Sequence, residues 1–542
     1  MKRRLLASLL VLCMVLALMP GTALAVDGTV EACPITEGCL LGEGHEGACE
    51  TARQEESAVL CTREGDCPAE AHEDGCPRAE KTMEEGWEPA VFEFQGAANT
   101  AGTLYDTEIL VEGAAVSVDG IQSAVTAALA GYSDANPAGD VRLVLNPTNM
   151  MVDMLVMFEK ITYLSIPVDK GITSFTITTT KEGATDASPV ILKVGSVGYS
   201  YLFANGIPLI ITGPIQVGGE IYGGGDGVDT DSTSITYNGA TGGDTSFSNN
   251  TTIRGGGLNA SVNGSVHISI QATHVPAANC GKSLFRVFGG GRATGAGKTA
   301  SVTGDTNIEL LAPVVTVYGG GEADGGGTAR VEGGTSIRFL PGSNALENVF
   351  GGGYAYNSIN GGAGTSHAEV LGTASITIDT AVQQLLYDGD YIIGGGHANI
   401  YSDGKNPVNL SSVADVGAVK IEVNGDIHTQ PEGRGTMHCL IGGGVADGVV
   451  SANPDPDEGM DICRASVSGD VEITVADGVT LGHALVGGGY SFAAVCEVGG
   501  TVRINLGDGV NTAKITGGGE INCNSNRVVS ADVGGVALTI GD

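Results

Sequence analysis

The sequence predicts an all-β fold, a parallel β-helix in which one short unit is repeated as successive coils. Three observations favour this fold: a glycine triplet that recurs along the chain, a two-residue alternation between the triplets, and no helical periodicity between them. The chain has 542 residues, enough for a long solenoid, and its 87 glycines are the outstanding feature of its composition.

The N-terminus has the pattern of a secretory signal peptide over residues 1–25. Basic residues at positions 2–4 precede an apolar stretch of about 15 residues, and the small residues Ala23 and Ala25 mark a cleavage site. The stretch is short for a membrane-spanning helix, which needs ~20 residues. We therefore expect a secreted, extracellular or cell-surface protein with no membrane span after cleavage.

The net charge of −36 limits the partners of this chain. A strongly acidic surface repels both nucleic acid and anionic lipid, because each carries the same sign of charge. We expect neither as a partner, whereas cations are compatible with such a surface.

Residues 26–87 form an acidic, Cys-rich segment that contains an internal duplication. Both copies have the spacing Cys-x5-Cys-x4/5-His-x3-Cys, and they show hardly any hydrophobic periodicity. The residues in question are Cys33, Cys39, His45 and Cys49 in the first copy and Cys61, Cys67, His72 and Cys76 in the second. Such a segment buries too little apolar surface to fold unaided, so it is predicted to be largely irregular and cross-linked.

Two kinds of cross-link fit this duplicated segment. Three thiolates and one imidazole per copy make a tetrahedral Cys3His set for zinc, whereas an oxidising exterior favours disulfides. The histidine at a matched position favours zinc, and three cysteines per copy would require a disulfide between copies. Free thiols are the remaining alternative, and neither cross-link makes the segment catalytic.

Residues 88–219 are predicted to hold an N-terminal cap and the first, irregular coils. The stretch DGIQSAVTAALAG predicts a short helix with Asp119 as its N-cap and with Ile121, Val125 and Leu129 on one face. The strands DVRLVL, ITYLSIP and SFTITTT follow. An amphipathic helix at this place would cover the open end of a solenoid.

Residues 220–542 form the regular part, in which two apolar or semi-apolar residues followed by Gly-Gly-Gly recur nine times, 30 to 48 residues apart. The triplets begin at Gly223, Gly255, Gly289, Gly319, Gly351, Gly394, Gly442, Gly487 and Gly517. Between them lies the motif Ala-x-Val-x-Gly-x-Val-x-Ile-x-Ile, whose alternation is typical of a strand with one buried face. Each repeat therefore predicts one coil.

We expect the triplets to be corners that lie directly above one another, about 4.8 Å apart. At such a corner the chain needs a positive φ or room that excludes a Cβ, and glycine meets both needs. A phosphate-binding role is not favoured, because no Gly-x-x-x-x-Gly-Lys-Ser/Thr motif occurs.

The aligned repeats predict two columns of outward-facing side chains. One contains His267, Asn307, Ser336, Ser375, Lys420, Glu472, Arg503 and Ala537, and the other contains Ser269, Glu309, Arg338, Thr377, Glu422, Thr474, Asn505 and Thr539. Acidic and basic residues alternate in both instead of forming the carboxylate clusters that β-helix lyases and hydrolases need. The columns therefore predict a ladder of ion pairs.

Other polar residues give weaker signals. Two acidic loops are candidates for calcium, with Asp226, Asp229 and Asp231 in the first and Asp455, Asp457, Glu458 and Asp461 in the second. Neither spacing matches an EF-hand, so solvated loops are the preferred interpretation. Cys463 and Cys496 occupy nearly matched positions in successive coils, which predicts a disulfide. His267 and His397 form no cluster and are predicted to lie at the surface.

The nine triplets, the Ala-x-Val-x-Gly strands and the segment CPITEGCLLGEGHEGAC resemble the right-handed parallel β-helix surface proteins of Gram-positive bacteria, which are described as adhesin-like. This resemblance implies a right-handed helix that binds extracellular glycans or host and matrix proteins. We expect a secreted, non-catalytic protein that uses a polar sheet face and loops. The alternative is a polysaccharide lyase or glycoside hydrolase with a site on its loops.

Overall fold

The structure is a computed structural model, and it describes the parts of the chain that follow. They are residues 105–113, 118–148, 151–152, 162–193, 200–240, 251–271, 273–274, 285–345, 348–358, 364–384, 392–401, 410–429, 438–449, 462–492, 494–521 and 530–541. All of them belong to the unit that spans Phe92–Asp542.

Secondary structure in the described residues is almost entirely β-strand, and the strands pair in parallel within three long sheets. Sheet 1 contains Thr107–Gly113, Gly139–Pro147, Ile172–Thr178, Leu209–Gly213, Thr233–Gly239, Val266–Ile270, Thr299–Val302, Thr306–Leu310, Thr328–Val331, Thr335–Phe339, Gly364–Ile378, Leu410–Val423, Ile462–Val467, Val471–Val475, Val495–Leu506 and Ser530–Ile540.

Sheets 2 and 3 are built from shorter strands. Sheet 2 contains Met151–Val152, Thr162–Ser165, Val190–Lys193, Ser200–Phe203, Ile215–Tyr222, Thr251–Arg254, Phe285–Phe288, Thr316–Tyr318, Val349–Phe350, Ile392–Ile393, His438–Ile441, Ala484–Val486 and Ile515–Thr516. Sheet 3 contains Arg292–Thr294, Glu322–Asp324, Tyr354–Ser358, His397–Tyr401, Val445–Val449, Tyr490–Phe492 and Glu520–Ile521. Two small sheets pair Pro313–Val314 with Asn344–Ala345 and Val382–Gln384 with Ile427–Thr429.

One repeat makes one coil, as the sequence predicts. Strand Phe285–Phe288 of sheet 2 runs through a glycine triplet into Arg292–Thr294 of sheet 3, and the chain then enters sheet 1 before it returns to sheet 2 at Thr316–Tyr318. Each strand pairs with its counterpart one coil later. The architecture is therefore that of a parallel β-helix-like solenoid.

The glycine triplets stack in a single column, which confirms the predicted corners. The amide of Gly290 donates to the carbonyl of Gly320 at 3.0 Å, and the amide of Gly320 donates to the carbonyl of Gly352 at 3.0 Å. The same bond joins the middle glycines of the other neighbouring triplets, from Gly224 to Gly518. Hydrogen bonds therefore hold these corners in register from coil to coil.

The reason for glycine at these corners is steric. None of the triplet glycines has a φ in the left-handed region, so the positive φ considered from the sequence is not what selects them. A Cβ on Gly319 would instead lie 2.2 Å from the carbonyl oxygen of Gly351 and 2.7 Å from Oγ1 of Thr335. Wherever another triplet follows, successive corners approach so closely that no larger residue fits at the middle glycine.

Two separate cores lie inside the coils. Valine, isoleucine and leucine side chains of sheets 1 and 2 form the main core, as with Val302, Ile308 and Val317, each at most 1% exposed. Alanines of sheet 3 face alanines of sheet 1 in a thinner second core, as with Ala293 and Ala300. The alanine of the repeat motif is small because it packs close to the third glycine of a triplet.

The predicted helix is present at Val118–Ala128, but it follows the first strand of sheet 1, Thr107–Gly113, instead of preceding all the coils. Ile121, Val125 and Leu129 are at most 1% exposed and belong to the main core. Asp119 lies inside the helix instead of before it, so its prediction as the N-cap is wrong. No helix among the described residues has the length and apolar character needed to cross a membrane.

The steric role of the triplets predicts a difference between two alanine substitutions. A Cβ on Gly488 would lie 2.6 Å from the amide nitrogen of Gly519, whereas a Cβ on Gly518 would meet nothing within 4 Å. We expect Gly488→Ala to lower the free energy of unfolding by about 1–3 kcal/mol, the usual effect of overpacking. The measurement is urea unfolding followed by circular dichroism.

Gly518→Ala is the matched control, because Gly518 is the middle residue of its triplet, as Gly488 is of its own. It should leave the unfolding curve nearly unchanged. Equal destabilisation by the two substitutions would contradict the steric explanation.

Candidate functional site

Most residues of the predicted metal sites lie outside the described residues. This holds for all eight cysteines and histidines of the duplicated segment and for the acidic loop with Asp455, Asp457 and Asp461. The loop with Asp226, Asp229 and Asp231 is described. In the described part of the chain, no three His, Cys, Asp or Glu side chains converge to hold a metal ion. The zinc and calcium sites therefore stay predictions.

The predicted disulfide between Cys463 and Cys496 is wrong. Both are free, buried thiols, because Cys496 lies opposite Ala465 in the sheet register and not opposite Cys463. The Cys463 thiol approaches the carbonyl of Ala398 at 3.4 Å, and the Cys496 thiol approaches that of Tyr490 at 3.1 Å. Burial raises the pKa of Cys496 to about 12, so this thiol is unreactive and fills the alanine core.

The two predicted outward columns of sheet 1 exist with the predicted register. Several of their charges nevertheless pair with residues outside the columns or along their own strand. Lys420 lies 2.6 Å from Glu422 of its own strand, and Arg338 lies 2.6 Å from Asp379. Arg503 likewise contacts Asp470. In the described residues these columns bring no carboxylates together for acid–base catalysis.

A concave corner lies outside the coils, where sheets 2 and 3 meet at the triplets. We call it the outer corner, and it consists of the residues directly before and after each triplet. Phe288, Tyr318 and Phe350 stack there with ring centroids 4.8 and 4.7 Å apart, and His397 stacks on Phe350 at 4.8 Å. These aromatic residues are at most 7% exposed, apart from His397. They form a third core on the outside of sheet 2.

His397 is not the surface residue that the sequence predicted. Its ring packs between Phe350 and Tyr354, and its Nδ1 lies 3.4 Å from the hydroxyl of Tyr318. Burial lowers the pKa of His397 from 6.5 to about 4, so the imidazole is neutral at pH 7. In the sequence, only its position directly after a triplet points to this role.

A buried ion network occupies the same corner two coils earlier. Arg254 is 4% exposed and lies 3.1 Å from Glu220. It also contacts Glu322, and its guanidinium stands 4.9 Å from the ring centroid of Phe288. Arg292 lies 3.4 Å from Glu220 and 3.2 Å from Asp324. The basic side chains are thus already paired with carboxylates of neighbouring coils.

The pKa of Glu322 reflects two opposing effects. Burial alone would raise the pKa of this carboxyl, but the guanidinium groups of Arg254 and Arg292 lower it below its usual range. A carboxylate held ionised by two cations is a poor general acid. The outer corner is therefore built for cohesion between coils and not for proton transfer.

A cavity of about 860 Å³ opens beside the irregular coils. Its walls combine aromatic, amide and carboxylate side chains from different coils, including Tyr163, Phe203, Asn205, Asp226, Asp229, Asp231 and Asn263. The loop at 226–232 follows the first triplet directly, at the place where later coils have a strand of sheet 3. Because this coil has a loop where later coils have a strand, there is room for the cavity.

Tyr163 gives the cavity an accessible aromatic surface. It is 40% exposed and belongs to strand Thr162–Ser165 of sheet 2. Its ring centroid lies 6.0 Å from that of Phe203, on which the ring stacks, and 5.9 Å from that of Tyr201, against which it is tilted. These two rings hold the orientation of Tyr163. Val168 and Val228, 62% and 64% exposed, add apolar surface to the same walls.

Asn205 ties two coils together in the cavity wall. Its backbone has a φ of 54°, which is unusual for a residue other than glycine. Its side-chain amide donates to Oγ of Ser165 at 2.8 Å and to the carbonyl of Ile166 at 2.7 Å. A strained residue held by two hydrogen bonds fixes the shape of a site.

The sequence identified only part of this cavity. Asp226, Asp229 and Asp231 were singled out as calcium ligands, but Tyr163 and Asn205 were not, because they come from other coils. Comparison of the chain with known protein families, with curated proteins and with solved structures finds no match. The cavity brings aromatic, amide and carboxylate side chains of several coils into one wall.

The ion network predicts a strong effect of neutralising Glu322. Glu322→Gln leaves the buried Arg254 without one of its two counter-charges, and breaking a buried ion pair typically lowers stability by about 3–5 kcal/mol. We expect an effect of this order in the free energy of unfolding measured with urea. Glu108→Gln is the control, since Glu108 pairs with Arg142 at 2.9 Å in an exposed position. An effect as small as that of the control, roughly 1 kcal/mol or less, would contradict the network's role.

The half-buried, desolvated imidazole of His397 predicts a pH dependence of stability. The pKa of His397 is about 4 in the folded protein and 6.5 in an exposed histidine, so the unfolded chain binds the proton more tightly. Its contribution is present above pH 6.5 and is lost as the pH falls towards 4, by up to about 3 kcal/mol. His397→Phe keeps the aromatic stack and removes the titration.

The measurement is the free energy of unfolding of both proteins between pH 7 and pH 4. The difference between the natural chain and the variant isolates His397, because the other groups titrate in both. A difference in the free energy of unfolding that stays constant across this range would contradict the low pKa of His397.

Proposed function

We propose that this chain is a secreted or cell-surface, non-catalytic and adhesin-like β-helix that binds an extracellular glycan in the cavity at Tyr163. The single observation that carries the proposal is a large cavity with an exposed aromatic ring and several carboxylates and amides in its walls. The resemblance to right-handed β-helix surface proteins of Gram-positive bacteria, stated from the sequence, is consistent with this function.

The composition of the cavity walls suits a sugar ring. A pyranose has apolar C–H faces that pack on aromatic rings, and hydroxyl groups that bond to carboxylates and amides. Tyr163 offers the aromatic face, while Asn263 and Asp231 offer polar groups in the same walls.

Two features of the architecture around the cavity belong to the proposed function, the handedness of the coil and the role of the helix. We infer a right-handed coil, because crossovers between parallel strands of one sheet are right-handed in nearly all proteins. We also infer that helix Val118–Ala128 caps the first coils, since its apolar face is buried in the main core. A capped end would keep the cavity coils rigid.

The alternative is a polysaccharide lyase or glycoside hydrolase with its site in the same cavity. The carboxylates of Asp226, Asp229 and Asp231 favour this alternative, because such enzymes act through acidic residues. It is the second candidate, since the outward columns of sheet 1 do not bring carboxylates together in the described residues.

The proposed function predicts that the mature chain binds glycans on an array and depends on Tyr163. Tyr163→Ala should weaken the binding of the selected glycan about tenfold, which corresponds to ~1.4 kcal/mol. Phe492→Ala is the control, because Phe492 is similarly exposed, at 38%, on a distant strand. Affinities are measured by isothermal titration calorimetry.

Three results would contradict the proposal. They are no binding to any glycan on the array, binding only to matrix proteins, and an equal loss of glycan affinity in the Tyr163→Ala and Phe492→Ala variants. Release of reducing or unsaturated sugars from bound polysaccharides would favour the enzyme.

A further inference from the structure

We propose that the cavity selects glycans that carry a protonated amino group, such as oligomers of glucosamine. This inference rests on the proposed function and deepens it, because it names the chemical class of the ligand. Two independent features of the cavity carry it: the negative charge of the walls and the exposed ring of Tyr163.

The walls of the cavity are negatively charged. Four aspartates line it, and none of its described lining residues is basic. Asp169 is paired with Lys170 at 3.2 Å, whereas no ion pair of the described residues involves Asp226, Asp229 or Asp231. Uronic-acid and sulfated glycans are repelled by such walls, and the net charge of −36 adds to that repulsion.

The aromatic surface favours a cation over a neutral group. An ammonium within about 6 Å of a tyrosine ring is attracted by its quadrupole, and the attraction increases when carboxylates lie nearby and water is displaced. Tyr163 presents its ring to the cavity that also contains Asp226, Asp229 and Asp231. An amino sugar can place its ring on the tyrosine and its ammonium among the carboxylates.

A monovalent ammonium fits this site better than calcium does. Calcium needs six to eight oxygens, and no three acidic side chains among the described residues converge to hold a metal. Oδ1 of Asp229 already accepts a hydrogen bond from the amide of Ser261 at 2.7 Å. The carboxylates are thus spread along the wall, which suits a ligand with a charge on each sugar unit.

The experiment compares four probes by isothermal titration calorimetry on the mature chain at pH 6. They are a glucosamine hexamer, an N-acetylglucosamine hexamer, an oligogalacturonate and spermidine, each with EDTA and again with calcium. We expect the glucosamine hexamer to bind at least about tenfold more tightly than its acetylated form, and independently of calcium. The oligogalacturonate and spermidine should bind weakly or not at all.

The double substitution Asp226→Asn with Asp231→Asn should reduce the affinity for the glucosamine hexamer to that for the acetylated hexamer. Asp134→Asn is the matched control, because Asp134 is exposed and lies outside the cavity. Circular dichroism of each variant establishes that it is folded. The expected pattern is loss of preference in the double variant and no change in the control.

The outcomes separate this inference from the proposed function. Equal affinity for the two hexamers, or oligogalacturonate binding that needs calcium, overturns the amino-sugar inference and leaves glycan binding intact. Spermidine binding as tight as that of the glucosamine hexamer overturns the sugar assignment. Failure of every probe here, together with silence on the glycan array, overturns both.

Discussion

The close approach of successive glycine triplets is the constraint on which the rest of the structure depends. Because each corner that is followed by another triplet lies within hydrogen-bonding distance of that triplet, nothing larger than a hydrogen atom fits there, whereas the last middle glycine, Gly518, has free space. The tight corner brings the first side chains of the sheet 3 strands, such as Tyr354, against the last side chains of the sheet 2 strands, such as Tyr318. Side chains that would otherwise face water, such as Phe288 and Arg254, are buried in the outer corner as a result.

Periodicity in the sequence was sufficient to predict the coils and their register. The two outward columns of sheet 1, from His267 to Ala537 and from Ser269 to Thr539, appear as predicted, because a fixed repeat leaves only one way to stack the strands. Glycine was predicted at the corners, but two reasons stayed open, a positive φ and a lack of room for a Cβ. A sequence alone does not distinguish between them.

The predictions that were wrong or incomplete concern which residues surround a given side chain. His397 was expected at the surface because the histidines occupy different places of the repeat and form no cluster. The concave corner overrides that expectation. Cys463 and Cys496 were expected to bond because they occupy nearly matched positions of successive coils, but an offset of two residues between Cys463 and the position opposite Cys496 keeps the thiols apart. The cavity could not be assembled from the sequence, since Tyr163, Asn205 and Asp231 come from separate coils whose irregular lengths defeat alignment.

The hydrogen bonds between triplets have a mechanical consequence. They point from each coil to the next, as do the bonds of all three sheets. A tensile force applied along the stack would therefore load the interfaces in series, and the weakest one would peel open first. A force applied across the stack would instead be shared by many bonds in parallel. The solenoid would therefore open coil by coil when it is stretched along the stack, and it would resist a force applied across the stack.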